Sequence, residues 1–357
     1  MEIPPFELER WLARHETDAA VMLGESGVRG VAASRFDTDP GRLDYVTPTN
    51  GDPELRERIA ERYGRSPGAV VCTCGTQEAN LLAFLTLQNE TSHAVVVTPA
   101  YQSLAALPDA LGSVSRVELS PPDWRLDPDD VAAAMTPDTA LVVLANPNNP
   151  TGRVHDAETV RAVYETAADR GAYLLCDEAY RDLLESPPPA AASLGAYGIS
   201  TGSVTKAHGL AGTRFGWLVG PPEVAAAAWG WKDYTTISPG RFGQHLAAQA
   251  LAPDREATLL SEHRDLAARN RDLVGSFLDA HGLSWHEPAT VTGFPTVPAG
   301  FHSGRSFCER VVEEESVLLV PGGAFGHPDR FRVGFGCETE RLREGLDRLE
   351  SFLDRHV

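Results

Sequence analysis

Lysine is nearly absent from this chain: only two of its 31 basic residues, Lys206 and Lys232, are lysines. Any chemistry that needs a lysine amine therefore has two candidates. Basic residues are also outnumbered, with 50 acidic side chains and a net charge of −19. Such an excess excludes nucleic acid and anionic membrane as expected partners, because their phosphates would be repelled. A high-salt cell interior, which favours strongly acidic surfaces, and an arginine-biased codon usage account for the pattern about equally well. Long hydrophobic runs are missing too, and no stretch approaches the roughly 18 apolar residues of a membrane span. The N-terminal MEIPPFELERWLARHE is charged and amphipathic, without the apolar core of a secretory signal. A cytoplasmic protein is the expectation. The five cysteines, Cys72, Cys74, Cys176, Cys308 and Cys337, lack the paired spacing of a zinc site. They are expected as reduced, partly buried thiols, with no metal.

What is present is enough apolar residue for a large core. At 357 residues and 42% hydrophobic content, one large or two intertwined domains are expected. Between residues 69 and 220, short apolar runs (AVVCTC, AVVVT, ALVVLA, AYLLCD, FGWLVG) alternate with helical stretches. Runs uninterrupted by polar positions are how strands of a parallel sheet look when helices cover both faces. An α/β layered domain follows. SPPPAAAS, at 186–193, reads as a surface loop. Beyond residue 250 comes a long amphipathic helix with Leu259, Leu266, Val274 and Leu278 among its apolar positions. Short strands near TVTGFPTV, SVLLVP and RFRVGFG follow, then a last helix carrying Leu342, Leu346, Leu349 and Leu353. The expected division is an N-terminal segment 1–44 contributing to a small α+β domain, a large domain 45–252, and a small domain 253–357.

Ligands of open α/β sheets bind at the carboxyl ends of the strands, so the residues after each run carry the argument. Gly75-Thr76-Gln77 opens a helix, and its free backbone N–H groups with a hydroxyl would cradle phosphate. Arg214, in a Gly-rich loop, supplies a counter-charge whose fork matches phosphate geometry, and Ser203 lies nearby in sequence. Tyr101 follows the second run and Asn149 the third. Asp177 ends the fourth, where a carboxylate needs a partner. A protonated pyridine nitrogen is one such partner; a cap or salt bridge is the other. Lys206, after small polar residues and before a Gly-rich turn, is placed like a reactive amine. Lys232, in WGWKDYTT, is expected on a surface or interface loop with its stem against tryptophan.

Taken in order, Gly-Thr-Gln, Tyr101, Asn-Pro-Thr-Gly, Asp-x-x-Tyr, Ser-x-x-Lys, Arg214 and the late Arg-Val of RFRVGFG resemble the class I/II aminotransferases from about residue 40 onward. That likeness implies the fold-type I, aspartate-aminotransferase-like architecture: a mostly parallel sheet sandwiched by helices, plus a smaller α+β domain. It implies pyridoxal 5'-phosphate (PLP) as cofactor, with Lys206 as the Schiff-base lysine and general base and Asp177 on the pyridine nitrogen. Tyr180 and Asn149 would hold the ring oxygen and Tyr101 would stack on the ring. Gly75, Thr76, Gln77, Ser203, Thr205 and Arg214 would surround the phosphate, with Tyr45 reaching it from the partner of a homodimer. Arg332 would clamp the substrate carboxylate, with Asn149 and Gly27 on the same side. The implied activity is transfer of an amino group between an amino acid and a 2-oxo acid. TPAYQSL, KDYTTIS and VPGGAFG with FRVGFGC further resemble the capreomycidine-synthase-like branch. The alternative it implies is a lyase or cyclase acting on a β-substituted or arginine-derived amino acid, for which Glu25 or Asp44 could supply acid. A third reading, a non-catalytic PLP-binding protein, is disfavoured by the intact Lys206 and by a charge wrong for DNA.

Overall fold

The apolar runs form the centre of the molecule. In a computed structural model that describes residues 3–357, seven strands make one sheet in the order Val70–Thr73, Gly216–Val219, Gly198–Ser203, Tyr173–Asp177, Thr139–Ala145, His93–Thr98, Ser113–Glu118. Six run parallel, and Gly216–Val219 is antiparallel to both its neighbours. The expectation that FGWLVG joins a parallel array is therefore corrected in direction. Burial on both faces explains the unbroken apolar runs: Val70, Val95, Val96, Leu141, Val142, Leu174 and Leu175 are fully inaccessible.

Two strands carry no apolar run. Ser113–Glu118 is an edge strand, largely exposed, and its polar residues hide it from a hydrophobicity reading. Gly198–Ser203 is wholly buried yet built from Gly, Ile, Ser and Thr. Its hydroxyls are used inside the protein: Ser200 donates to Glu178 and Thr201 to Asn80. A side chain at Gly202 would collide with the Trp217 indole, 2.8 Å away.

The helix Thr76–Leu87 is apolar nearly all round because it lies between the sheet and the helix Pro222–Lys232. SPPPAAAS is only half a surface loop. Its Ala190, Ala191 and Ala192 are buried, and the Ala191 N–H donates to the internal carboxylate of Glu178.

The C-terminal part follows the expected pattern. The helix Pro253–Ala280 buries Leu259, Leu266, Val274 and Leu278, and Thr339–His356 buries Leu342, Leu346, Leu349 and Leu353. A three-stranded antiparallel sheet joins Val320–Pro321, Phe331–Gly334 and Thr292–Gly293. The N-terminus packs here too: Val21–Met22 pairs in parallel with Val317–Leu318, and the Trp11 indole donates to the Leu319 carbonyl. Residues 23–29 then thread between the Phe331–Gly334 strand and the Lys206 loop. The Gly334 N–H donates to Leu23 and the Val28 N–H to the Lys206 carbonyl. Gly334 allows this approach, since a Cβ there would sit 1.8 Å from the Glu25 carbonyl oxygen. Among the described residues no helix is long and apolar enough to cross a membrane.

Candidate active site

Parallel strands deliver their carboxyl ends to one edge of a sheet, and a cavity of about 610 Å³ opens at that edge. Asp177, the last residue of its strand, lies on the floor. It accepts hydrogen bonds from the Asn80 amide at 2.8 Å and the Ala179 N–H at 3.1 Å. Burial raises its pKa, and the Asn80 amide, the Ala179 N–H and the charge of Lys206 partly offset that rise. Asn80 is in turn fixed by Thr201. Sequence reading missed it, although an amide within the apolar helix EANLLAFL is itself a signal.

At one end of the floor is the Gly75-Thr76 turn. Gly75 caps its helix at φ +81° with no side-chain cap, so the first-turn N–H groups have no side-chain partner. A Cβ on Gly75 would lie 2.6 Å from Nη2 of Arg214, so the guanidinium is packed directly on the turn. Arg214 holds a left-handed backbone conformation, φ +48°, costly for a non-glycine residue. Its Nη1 donates to the Ala211 carbonyl. Thr76 Oγ1 is buried with no hydrogen-bond partner, while Gln77 accepts from Ser103. Ser203 and Thr205 line the same end, and the Ser203 hydroxyl accepts from the Thr205 N–H.

Lys206 stands in the middle. Its Nζ donates to Ser26 Oγ at 2.9 Å and to Glu25 Oε1 at 3.1 Å. Burial by itself would lower its pKa, but Tyr180 and the Glu25 carboxylate together produce a net rise. Burial likewise works against Glu25, yet Lys206, Arg332 and the Ser26 N–H bring its pKa down to about 2. The Glu25 side chain, 59% exposed, is still reached by water within the cavity. Gly27 is buried beside Lys206, where a Cβ would meet Lys206 Cδ at 3.2 Å.

Arg332 closes the far side. It is 1% exposed, donates from Nη1 to Asn149 Oδ1 at 3.2 Å and from Nη2 to the Gly24 carbonyl at 2.6 Å, and leaves Nε without a partner. Tyr180 and Tyr101 line the space between. The Tyr101 hydroxyl donates to Glu9 at 2.6 Å, and burial followed by that carboxylate pushes its pKa upward. Glu9 belongs to the N-terminal helix Glu7–His15, and this helix brings Glu9 and Arg10 to the cavity, with Glu16 just beyond its end. These residues were not anticipated, because their distance in sequence from every motif conceals their position.

Tyr45 is not brought to the cavity within one chain; it is 68% exposed and lies away from the lining residues. Asp44 pairs with Arg42 on the same exposed stretch. Lys232 corrects the sequence reading outright. It is no surface lysine but is fully buried, with Nζ 2.7 Å from Glu78 Oε2. The five cysteines are free thiols, three of them buried.

A sheet edge carrying a lysine amine, a strand-terminal carboxylate, an uncapped helix start with an arginine packed on it, and a buried arginine opposite is a candidate PLP-enzyme site. The fit rests on particulars: the partnerless hydroxyl of Thr76 and the Gly75–Arg214 contact suit a phosphate, and Asp177 suits a protonated ring nitrogen. Comparison with known proteins makes the class definite. The chain belongs to the aminotransferase class I and II family, whose pattern matches residues 30–349, and its cofactor is pyridoxal 5'-phosphate. It is 33% identical to capreomycidine synthase of Streptomyces vinaceus, over 99% of this chain and 95% of that protein. It superposes on a PLP-dependent aminotransferase from Streptococcus suis 89-1591 with a TM-score of 0.94 and 28% identity, covering 100% of this chain and 99% of that one. It superposes on the PLP-dependent cyclase OrfR with a TM-score of 0.91 and 30% identity, covering 100% and 99%.

Proposed function

We propose that the protein is a PLP-dependent aminotransferase that moves an amino group between an amino acid and a 2-oxo acid. The observation that carries this reading is the placement of the Lys206 amine and the Arg332 guanidinium in one cavity above Asp177. PLP, when bound, supplies an electron sink for the charge that develops at the substrate α-carbon. Arg332, held by Asn149 and Gly24, would receive the substrate carboxylate as a two-pronged clamp, with Gly27 shaping the same side. Lys206 would take the α-proton and return it, since it is the one lysine among the described residues that line the cavity. For that role the amine must first lose the proton that Tyr180 and Glu25 help to hold. Asp177 would keep the ring nitrogen protonated, Tyr180 and Asn149 would hold the ring oxygen, and Tyr101 would cover the ring face. Gly75, Thr76, Gln77, Ser203, Thr205 and Arg214 would hold the phosphate.

A homodimer belongs to the same proposal. Leu43, Tyr45, Trp231, Tyr234, Ile237 and Phe242 are large apolar residues left exposed, Tyr234 by 85%. Burial against a second copy would cover them and carry Tyr45 toward the neighbour's phosphate end. A protein that sediments as a monomer while binding PLP fully would overturn this.

A second reading, a PLP-dependent lyase or cyclase, is favoured by the acids around the cavity. Glu9, Glu16 and Glu25 line it, against Arg10 as the remaining base once Lys206, Arg214 and Arg332 have the roles above. That surplus suits a cationic side chain, such as an arginine-derived guanidinium. The test is incubation of holoenzyme with single amino acids, following absorbance and products in wild type and Lys206→Ala. Lysine-dependent spectral change with alanine, glutamate or aspartate and release of the 2-oxo acid supports the aminotransferase. Response only to arginine-like or β-substituted amino acids, with ammonia or a ring-closed product, selects the second reading. No lysine-dependent change with any amino acid would sink both.

A further inference from the structure

Lys232 is the second of the chain's two lysines, and nothing in the reaction described above uses it. It is fully buried, and its Nζ donates to Glu78 Oε2 and to Thr236 Oγ1. Glu78 is the third residue of the helix that starts at Thr76. Its carboxylate accepts four different donors: the Cys74 N–H at 2.6 Å, Lys232 at 2.7 Å, Thr235 at 2.7 Å and Thr236 at 2.6 Å. It thus ties down the residue immediately before Gly75, where the helix start has no side-chain cap of its own.

This arrangement poses an electrostatic conflict. A carboxylate in the first turn of a helix stabilises that helix, but it also competes with any other anion brought to the same turn. With the surroundings dry, the repulsion is only weakly screened. Lys232 removes the conflict by neutralising Glu78 in place while leaving the carboxylate free to hold the Cys74 N–H. Burial raises the Glu78 pKa, but the Cys74 N–H, Lys232 and the two threonines outweigh it, so the group stays ionised and needs the counter-charge.

We infer that the buried Lys232–Glu78 pair positions and electrostatically neutralises the Gly75-Thr76 turn, and so sets the affinity of the site for the cofactor's phosphate. The inference rests on the reading of that turn as the phosphate cradle. Lys232 and Glu78 are positioning residues here, since neither lines the cavity.

The test compares binding of PLP with binding of pyridoxal, which lacks the phosphate, by titrating the apo full-length protein and following absorbance and tryptophan fluorescence. Lys232→Met should weaken PLP binding roughly tenfold while changing pyridoxal binding less than about threefold. Glu78→Gln should change PLP binding in the opposite direction or leave it unaltered, and K232M/E78Q should return to near the wild-type preference. Equal losses for both ligands in K232M, or a double variant no better than K232M, would reduce the pair to a structural role and overturn the inference. If K232M fails to fold, the single Glu78→Gln decides: a selective loss of PLP affinity would refute the neutralising role. Arg214→Ala serves as the reference. If it leaves the preference for PLP over pyridoxal unchanged, the cradle reading fails; if it abolishes the preference and K232M does not, the inference alone fails.

Discussion

The two lysines make the same kind of contact in opposite settings. Lys206 meets Glu25 at 3.1 Å in a cavity where the glutamate is 59% exposed, and Lys232 meets Glu78 at 2.7 Å where both side chains are nearly dry, 0% and 7% exposed. The first pair is suited to being broken, because water or a substrate group can replace either partner. The second is suited to permanence, because removing either member leaves a buried charge with neutral partners only and no water to replace the lost ion. The lysine proposed to do chemistry and the lysine inferred to hold a shape are thus separated by hydration rather than by pairing.

Deleting each amine should break the symmetry most sharply. Lys206→Ala is expected to lower the rate of product formation by about 10⁴-fold or more, read as 2-oxo acid released per holoenzyme. Its melting temperature should move by less than about 2 °C, because Glu25 remains in contact with water. Lys232→Met should do the reverse for stability. An unpaired buried Glu78 costs roughly 3–5 kcal/mol, or on the order of 5–10 °C in thermal unfolding of the apo-protein. Equal effects of the two variants on melting would dissolve the distinction.

Arg332 offers a third buried cation to set against these, fixed by a carbonyl and an amide rather than by an acid. Having no carboxylate within ion-pair distance, it is the guanidinium proposed above for a substrate carboxylate. Arg332→Met should cut kcat/KM by roughly 10²–10³-fold for every amino acid tested. A loss confined to one substrate would assign the residue to side-chain selection instead. The smallest effect concerns acid. The Glu25 pKa is about 2 against 4.5 when unperturbed, so its pairing stabilises the folded apo-protein fully above pH 4.5 and is lost as pH falls toward 2. The wild-type minus Glu25→Gln difference in melting temperature should therefore shrink over that interval; a flat difference would show that Glu25 is not held as an ion pair.

Much of the candidate site was legible because it is strung along strand ends. Thr76, Tyr101, Asn149, Asp177 and Lys206 each follow a short apolar or buried segment, and a parallel sheet must bring such positions to one edge. Less was legible where the signal depends on partners. The strand Gly198–Ser203 escaped notice because its burial is satisfied by hydrogen bonds to Glu178 and Asn80 rather than by apolar side chains. The reversed strand Gly216–Val219 has the same composition as a parallel one, since burial on both faces leaves no mark of direction.

By itself, then, the sequence determined the layered α/β core and the order of chemistry along it, because hydrophobic burial and turn chemistry are local and periodic. Only the tertiary structure decided that Glu25 meets Lys206, that the helix Glu7–His15 walls the cavity, and that Lys232 lies inside, pinned to Glu78. A buried charge needs partners that the fold must bring to it, and Glu78 lies 154 positions from Lys232 in the chain.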